Sequence, residues 1–244
     1  MIDMHIHILP GFDDGAWDME EAVEMAWSAV DSGVNAVVAT SHIGPSFQQK
    51  ELLERKKQYT EKLELFRREL DRRKIPLSVY SGMEVLAGEG FIEALLQGNL
   101  LTLNHSRFVL AEFWFDEREG MISETIYRLK KAGYGMVMAH PERYDCVKRN
   151  PKILADWKRE GVLCQLNAGS FFGDFGLTVR RTAEWILYHG LADLVASDAH
   201  DTVNRRAGFD EIRYLLEELC GIEQTDRLLF ERARKLLLLL HNRK

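Results

Sequence analysis

The chain has 244 residues, of which 46% are hydrophobic, and this is enough apolar material to bury the core of one large domain. Its formal net charge of -6 argues against a surface that binds nucleic acid. Three scattered cysteines without a CxxC pair suit a reducing compartment, and no run is apolar enough to span a bilayer. These features predict a cytoplasmic protein without membrane insertion.

Short β-rich runs alternate with longer segments of helical period. The predicted strands are residues 2–8, 35–42, 77–85, 107–113, 134–140, 162–170 and 193–200. The predicted helices are residues 18–32, 48–73, 89–96, 121–132, 151–160 and 178–189, followed by a helical C-terminal segment over about 209–240. Strict alternation predicts parallel strands. We expect a single domain over residues 1–244, an α/β protein whose seven units close as a distorted (β/α)7 barrel.

The first predicted strand, in the stretch MIDMHIHILPGFDDG, carries two histidines on one face. Successive side chains of a strand point to opposite faces, so His5 and His7 project together with Asp3. The opposite side is predicted to hold Ile2, Met4, Ile6 and Ile8.

Metal-binding residue types collect at the carboxyl ends of the predicted strands, where parallel barrels place their functional side chains. They are His5, His7, His42, Glu84, Glu112, His140, Asn167, Asp198 and His200. Five of the eight histidines belong to this set, and Asp13 and Asp14 lie in the loop after the first strand. Asp198 and His200 repeat the two-residue spacing of His5 and His7, which predicts two more ligands on one strand face.

This donor set predicts a cluster of two or three divalent metals, because one tetrahedral ion needs only about four ligands. Such clusters activate water and stabilise the charge of a phosphate ester, so we expect a hydrolase. Other hydrolytic designs are excluded: no cysteine is followed six residues later by arginine, and the chain has neither a GxSxG elbow nor a GxxxxGK[ST] phosphate loop.

The stretches MIDMHIHILPGFDDG, VVATSH, GMEV, LAEF, AHPERYD and VASDAH resemble, in order and spacing, the polymerase-and-histidinol-phosphatase (PHP) superfamily. Within it they are most similar to the bacterial protein-tyrosine phosphatases of the CpsB/CapC/YwqE type. The resemblance covers residues 1 to about 206. It implies a distorted seven-stranded barrel, a manganese cluster and removal of phosphate from a partner tyrosine kinase, at its C-terminal tyrosine cluster, in capsule or exopolysaccharide synthesis.

The resemblance also implies a ligand set. One metal would be held by His5, His7, Glu84 and Asp198. Glu84 would bridge to a second metal held by Glu112 and His140. A third would be held by His42, His200 and one carboxylate of the Asp13 and Asp14 pair, which we place on Asp14. Iron or zinc would suit the same ligands as Mn²⁺.

Two arginines are implied in both catalysis and substrate binding, two histidines in catalysis and two phenylalanines in substrate binding. Arg143 and Arg205 match arginines that bind substrate phosphate, with Arg206 as an alternative to Arg205. His42 or His200 is a candidate general acid. Two aromatic loops, residues 112–120 and 169–178, offer an apolar wall for a tyrosine ring, or else pack onto the barrel rim. The wall residues are Trp114 and Phe115 from the first loop and Phe171, Phe172 and Phe175 from the second, of which Phe171 and Phe172 are assigned to substrate binding.

Two alternative functions remain open at this point. The chain could be another PHP phosphoesterase, directed to histidinol phosphate or a nucleotide. It could also be a non-catalytic module that binds a kinase.

Overall fold

The protein is described by a computed structural model over residues 1–44 and 48–238. It has a mixed α/β fold in which every pair of neighbouring strands is parallel, as the alternation predicts. The strands are β1 (Ile2–Ile6), β2 (Ala36–Ala39), β3 (His42–Ile43), β4 (Ser78–Ser81), β5 (Glu84–Leu86), β6 (Phe108–Glu112), β7 (Gly135–Ala139), β8 (Leu163–Asn167) and β9 (Leu194–Ala196). They form two sheets, in the orders β1-β2-β4 and β3-β5-β6-β7-β8-β9.

The helices occupy the predicted segments and add two short ones. They are α1 (Met19–Asp31), α2 (Gln49–Arg73), α3 (Phe91–Leu96), α4 (Glu119–Lys131), α5 (Asp145–Arg149), α6 (Ile153–Arg159), α7 (Ala168–Phe172), α8 (Leu177–Tyr188), α9 (Phe209–Cys220), α10 (Ile222–Asp226) and α11 (Arg232–Leu238). The predicted C-terminal helix is divided at Gly221, whose φ of 80° lies in the left-handed region. Residues 239–240 of that prediction lie outside the described residues. None of the helices in the described ranges combines the length and apolar character needed to cross a bilayer.

Two predicted strands are each divided into two in the structure, and near both breaks the hydroxyl of Tyr59 of α2 bonds to the backbone in place of a neighbouring strand. Its buried hydroxyl donates to Ala39 O at 2.7 Å and accepts from Gly82 N at 3.0 Å. Ala39 ends β2, and Gly82 lies between β4 and β5. Both backbone groups are therefore satisfied by a side chain at the level where the pairing pattern changes.

The ends of the two sheets meet at β1 and β9. Ile6 forms an isolated parallel bridge with Ala199, and His7 N donates to Ala199 O at 2.9 Å. Asp198 N in turn donates to His5 O at 2.8 Å. These bonds bring the beginning of the chain beside the segment that follows β9.

The apolar side of β1 differs from the prediction, since its residues divide between two buried clusters. Ile2 and Met4 lie in the smaller cluster, which also contains Leu236 of α11, whereas Ile6 and Ile8 lie in the larger one. The pairing of β1 with β2 shifts register between Asp3 and Ile6, so the strict alternation of an ideal strand does not persist.

Candidate metal centre

The predicted ligands lie within strands or in the segments that follow them, and Glu84 and His42 are the first residues of β5 and β3. His5, Glu84 and Glu112 are in strands, whereas His7 and His140 follow β1 and β7. The prediction that Asp198 and His200 share a strand face is wrong. Strand β9 ends at Ala196, and Asp198 has a φ of 53°, so the chain has already left the extended conformation.

The first group of donor atoms comprises His5, His7, Glu84 and Asp198, which are at most 2% exposed. The Nε2 atoms of His5 and His7 are 3.1 Å apart. They lie 3.1 and 3.3 Å from Glu84 Oε2, and 3.3 and 3.4 Å from Asp198 Oδ1. Two atoms bound at about 2.1 Å to one ion are separated by about 3.0 to 3.4 Å. The spacing therefore fits four ligands of a single metal.

A second group is arranged around the other side of Glu84. His42 Nδ1 lies 3.0 Å from Glu84 Oε2 and 3.5 Å from Glu112 Oε1. His140 Nε2 lies 3.0 Å from Glu84 Oε1 and 3.7 Å from Glu112 Oε2. The Glu84 carboxylate belongs to both groups, which is the position a bridging ligand requires.

A third group forms where the loop after β1 meets His42 and His200. Asp14 Oδ1 is 3.5 Å from His42 Nε2 and 3.6 Å from His200 Nε2. Asp13 instead lies behind the group: its Oδ2 is 2.8 Å from His7 Nδ1 and accepts from His42 N at 2.8 Å. This geometry favours Asp14 over Asp13 as the ligand, because the oxygen of Asp13 is already committed to two hydrogen bonds.

Burial and neighbouring charges shift the pKa values of the side chains in this cluster in different directions. Burial and the charge of Glu84 raise the pKa of Glu112 to about 7. Burial alone would raise the pKa of Glu84, but the imidazoles around it, led by His5, hold this pKa well below its usual value. Burial and the neighbouring His7 lower the pKa of His200 to about 3. Neutral imidazole and ionised carboxylate are the forms that bind metal ions.

One donor atom in the third group tests whether these residues fit a metal ion. His200 Nε2 is buried and has no hydrogen-bond partner among the described residues. A buried polar atom without a partner is costly, and a metal ion would satisfy it. The donor set of imidazole and carboxylate suits manganese, iron or zinc.

Both predicted arginines lie at the edge of this cluster, against the same carboxylate. Arg205 Nη2 donates to Asp198 Oδ2 at 2.6 Å, and Arg143 Nη1 is 3.6 Å from that oxygen. The guanidinium of Arg143 is stacked between two rings, 4.4 Å from the centroid of Phe115 and 4.3 Å from that of Phe175. Arg206 pairs instead with Glu211 at 2.5 Å.

Two neighbouring cavities open beside the arginines. The first, of about 250 Å³, is lined by Glu84, Glu112, His140, Arg143, Trp114 and Phe115, among others. The second, of about 320 Å³, shares Asp198 and Arg205 with the first and is lined by Phe172 and Phe175. Phe171 reaches neither cavity, because its side chain is 1% exposed and packs in the core. Of the three phenylalanines predicted in the second loop, Phe172 and Phe175 are therefore at a cavity wall and Phe171 is not.

Gln165 is a site residue that the sequence reasoning missed. Its Oε1 lies 2.8 Å from Nδ1 of His5, and it is completely buried in β8. The signal was present in the sequence, since a glutamine stands in the middle of the apolar strand LCQLN. A buried amide in such a strand needs a partner, and here that partner is a ligand candidate.

Known proteins resemble this chain in sequence over nearly its whole length. The family model for capsular polysaccharide synthesis, CpsB/CapC, matches residues 1–238. The tyrosine-protein phosphatase YwqE of Bacillus subtilis is 34% identical over 223 residues, which are 91% of this chain and 86% of YwqE. The tyrosine-protein phosphatase CpsB of Streptococcus pneumoniae is 27% identical over 244 residues, 98% of each chain.

A solved structure extends the likeness to three dimensions. It comes from work on YwqE of Bacillus subtilis and CpsB of Streptococcus pneumoniae, described there as unique metal-dependent tyrosine phosphatases. It superposes with a TM-score of 0.86 at 33% identity, covering 98% of this chain and 95% of the other. With the family model matched over nearly the whole chain, this protein belongs to the CpsB/CapC family of capsular polysaccharide synthesis.

Proposed function

We propose that this protein is a metal-dependent phosphatase that removes phosphate from phosphotyrosine in proteins. The observation that carries the proposal is the convergence of three overlapping groups of imidazole and carboxylate donors beside two arginines. The names of the two relatives support the same reaction.

The assigned ligands would hold two or three Mn²⁺ ions. The first site takes His5, His7, Glu84 and Asp198, the second takes Glu84, Glu112 and His140, and the third takes Asp14, His42 and His200. Bound metal ions would lower the pKa of a water molecule and neutralise the charge of the phosphate. Metal binding would require the imidazoles of these sites to be neutral and their carboxylates to be ionised.

The chain's own residues bind and orient the substrate. The guanidinium groups of Arg143 and Arg205 bind the phosphate oxygens. A guanidinium can donate two parallel N–H hydrogen bonds to two oxygens of one phosphate. Phe115 and Trp114 line the same cavity and offer an apolar wall to the phenol ring. Tyrosine has a pKa of about 10, so its oxygen leaves with little need for a strong acid. His42 or His200 would hold a proton beside that oxygen only when its imidazole is not bound to a metal ion.

We also propose that the two sheets form one distorted seven-stranded barrel. Strands β2 and β3 would count as one interrupted strand, and β4 and β5 as another. The contacts between β1 and the segment after β9 support closure of the ring. The carboxyl ends of all seven strands would then surround the metal centre.

The proposed substrate is a phosphorylated bacterial tyrosine kinase that controls capsule or exopolysaccharide synthesis, and the proposed location is the cytoplasm. The matched family model is one of capsular polysaccharide synthesis, which supports this setting. All three cysteines are free, as expected in a reducing compartment.

The test is phosphate release from a phosphotyrosine peptide by metal-stripped protein, before and after Mn²⁺ is added. Histidinol phosphate and nucleoside monophosphates serve as competing substrates. We expect release to depend on Mn²⁺ and to favour the peptide. Preference for a small ester would support another phosphoesterase, and inactivity with bound Mn²⁺ would support a binding module. Asp198→Asn should abolish release, whereas the exposed Asp116→Asn is the matched control.

A further inference from the structure

Strand β8 carries two amide side chains that no ligand assignment uses. Gln165 and Asn167 are fully buried and stand two residues apart, on one face of the strand. Gln165 Nε2 donates to Asn167 Oδ1 at 2.8 Å. At one end of this pair, Gln165 Oε1 lies 2.8 Å from His5 Nδ1. At the other end, Asn167 Nδ2 donates to Asp198 Oδ2 at 2.6 Å.

The Asp198 carboxylate fixes the direction of every hydrogen bond in this series, because an ionised carboxylate only accepts. Asn167 must turn its NH₂ group to Asp198, so its oxygen faces Gln165. Gln165 must then turn its own NH₂ group to that oxygen, so Oε1 faces His5. His5 must donate from Nδ1. The lone pair of the neutral ring consequently lies on Nε2.

That lone pair faces the first metal group. His5 Nε2 is 3.3 Å from Asp198 Oδ1, the other oxygen of the carboxylate that begins the series. Asp198 thus contacts His5 from two directions: directly at Nε2, and through two amides at Nδ1. A histidine that binds metal commonly donates its second ring N–H to an acceptor, which fixes its tautomer.

We propose that Gln165 and Asn167 are positioning residues, which set the tautomer of His5 so that Nε2 binds the same ion as Asp198. This inference rests on the proposed metal centre. It predicts that loss of the Gln165 acceptor weakens metal binding about tenfold to hundredfold, the usual cost of removing such a partner.

The experiment compares Mn²⁺ affinity in four proteins, using the electron paramagnetic resonance signal of unbound Mn²⁺. Gln165→Met removes the acceptor at similar volume, and Gln165→Glu, as the neutral acid that burial favours, keeps an acceptor for His5 and a donor for Asn167. Cys164→Ala is the control, because Cys164 is buried in the same strand and lies in the larger apolar cluster. Proton NMR spectra of the Zn²⁺-loaded proteins show whether the ring N–H proton of His5 is present.

We expect Q165M to bind Mn²⁺ at least tenfold more weakly and to lose the slowly exchanging His5 ring proton. Q165E and C164A should stay within about threefold of the wild type, and Q165M should regain turnover at saturating Mn²⁺. Wild-type affinity in Q165M would overturn the inference. If Q165M fails to fold, weak binding by folded Q165E overturns it. Wild-type protein that binds no Mn²⁺ would instead overturn the proposed metal centre.

Discussion

Arg205 and Asp198 form a close ion pair at the border of the metal centre, with Nη2 2.6 Å from Oδ2. The two oxygens of Asp198 therefore have different surroundings. Oδ2 accepts from Arg205 and Asn167, whereas Oδ1 faces the imidazoles of His5 and His7. One carboxylate thus holds Arg205, the arginine proposed to bind phosphate, in place while its other oxygen is available to a metal.

Replacement of Arg205 by lysine should lower kcat/KM for a phosphotyrosine peptide by about tenfold to hundredfold. This corresponds to about 1.4 to 2.7 kcal/mol of lost transition-state stabilisation, because lysine keeps the charge but cannot reproduce the planar fork. Arg206→Lys is the matched control, since Arg206 pairs with Glu211 instead. A larger loss in Arg206→Lys than in Arg205→Lys would transfer the assignment to Arg206.

Phe175→Leu should weaken binding of phosphate, because the ring holds one face of the Arg143 guanidinium. We expect the inhibition constant of inorganic phosphate to rise about threefold to tenfold, with a smaller change in kcat. Phe172→Leu tests the same loop without touching this stack. Equal effects in both variants would show that the loop, rather than the stacking, matters.

Metal removal should destabilise the protein. At free Mn²⁺ one hundred times its dissociation constant, binding contributes about 2.7 kcal/mol, or about 5 to 10 °C in Tm for a chain of this size. Differential scanning calorimetry with and without chelator measures this shift. Asp198→Asn should show a smaller response, because the first site loses a ligand, whereas the response of Asp116→Asn should match the wild type. A wild-type Tm that is insensitive to chelator would contradict the prediction.

Tyr59→Phe should lower the free energy of unfolding by about 1 to 3 kcal/mol, because Ala39 O and Gly82 N lose a buried partner. Urea denaturation monitored by circular dichroism is the measurement. Tyr188→Phe removes the same hydroxyl at a position that is 87% exposed and should change stability by less than about 0.5 kcal/mol. Equal losses in the two variants would argue against the role of Tyr59.

The thiol of Cys164 should resist alkylation in the folded protein. Burial raises its pKa to about 12, so the reactive thiolate is a minute fraction at pH 8 and increases only as the pH approaches that value. The partly exposed Cys220 should react first. Mass spectrometry after treatment with iodoacetamide distinguishes the two, and early labelling of Cys164 would show that the strand opens.

The sequence predicted what depends on local pattern. Alternating apolar runs and helical segments located the elements, and histidines and carboxylates at strand ends located the donor set. It could not reveal that the Tyr59 hydroxyl bonds to the backbone of Ala39 and Gly82, since these residues are far apart in the chain. The turn at Asp198 and the burial of Phe171 were likewise hidden, because each depends on tertiary contacts. Gln165 was visible as a polar residue in an apolar strand, but its partner was not.

The bond from His7 N to Ala199 O has a consequence for biosynthesis. The first metal group takes two ligands from the start of the chain and one, Asp198, from a segment translated much later. A nascent chain therefore exposes its histidines long before the complete set exists. In the proposed centre, selection of the ion would be a step that follows translation, governed by the metals that the finished protein meets.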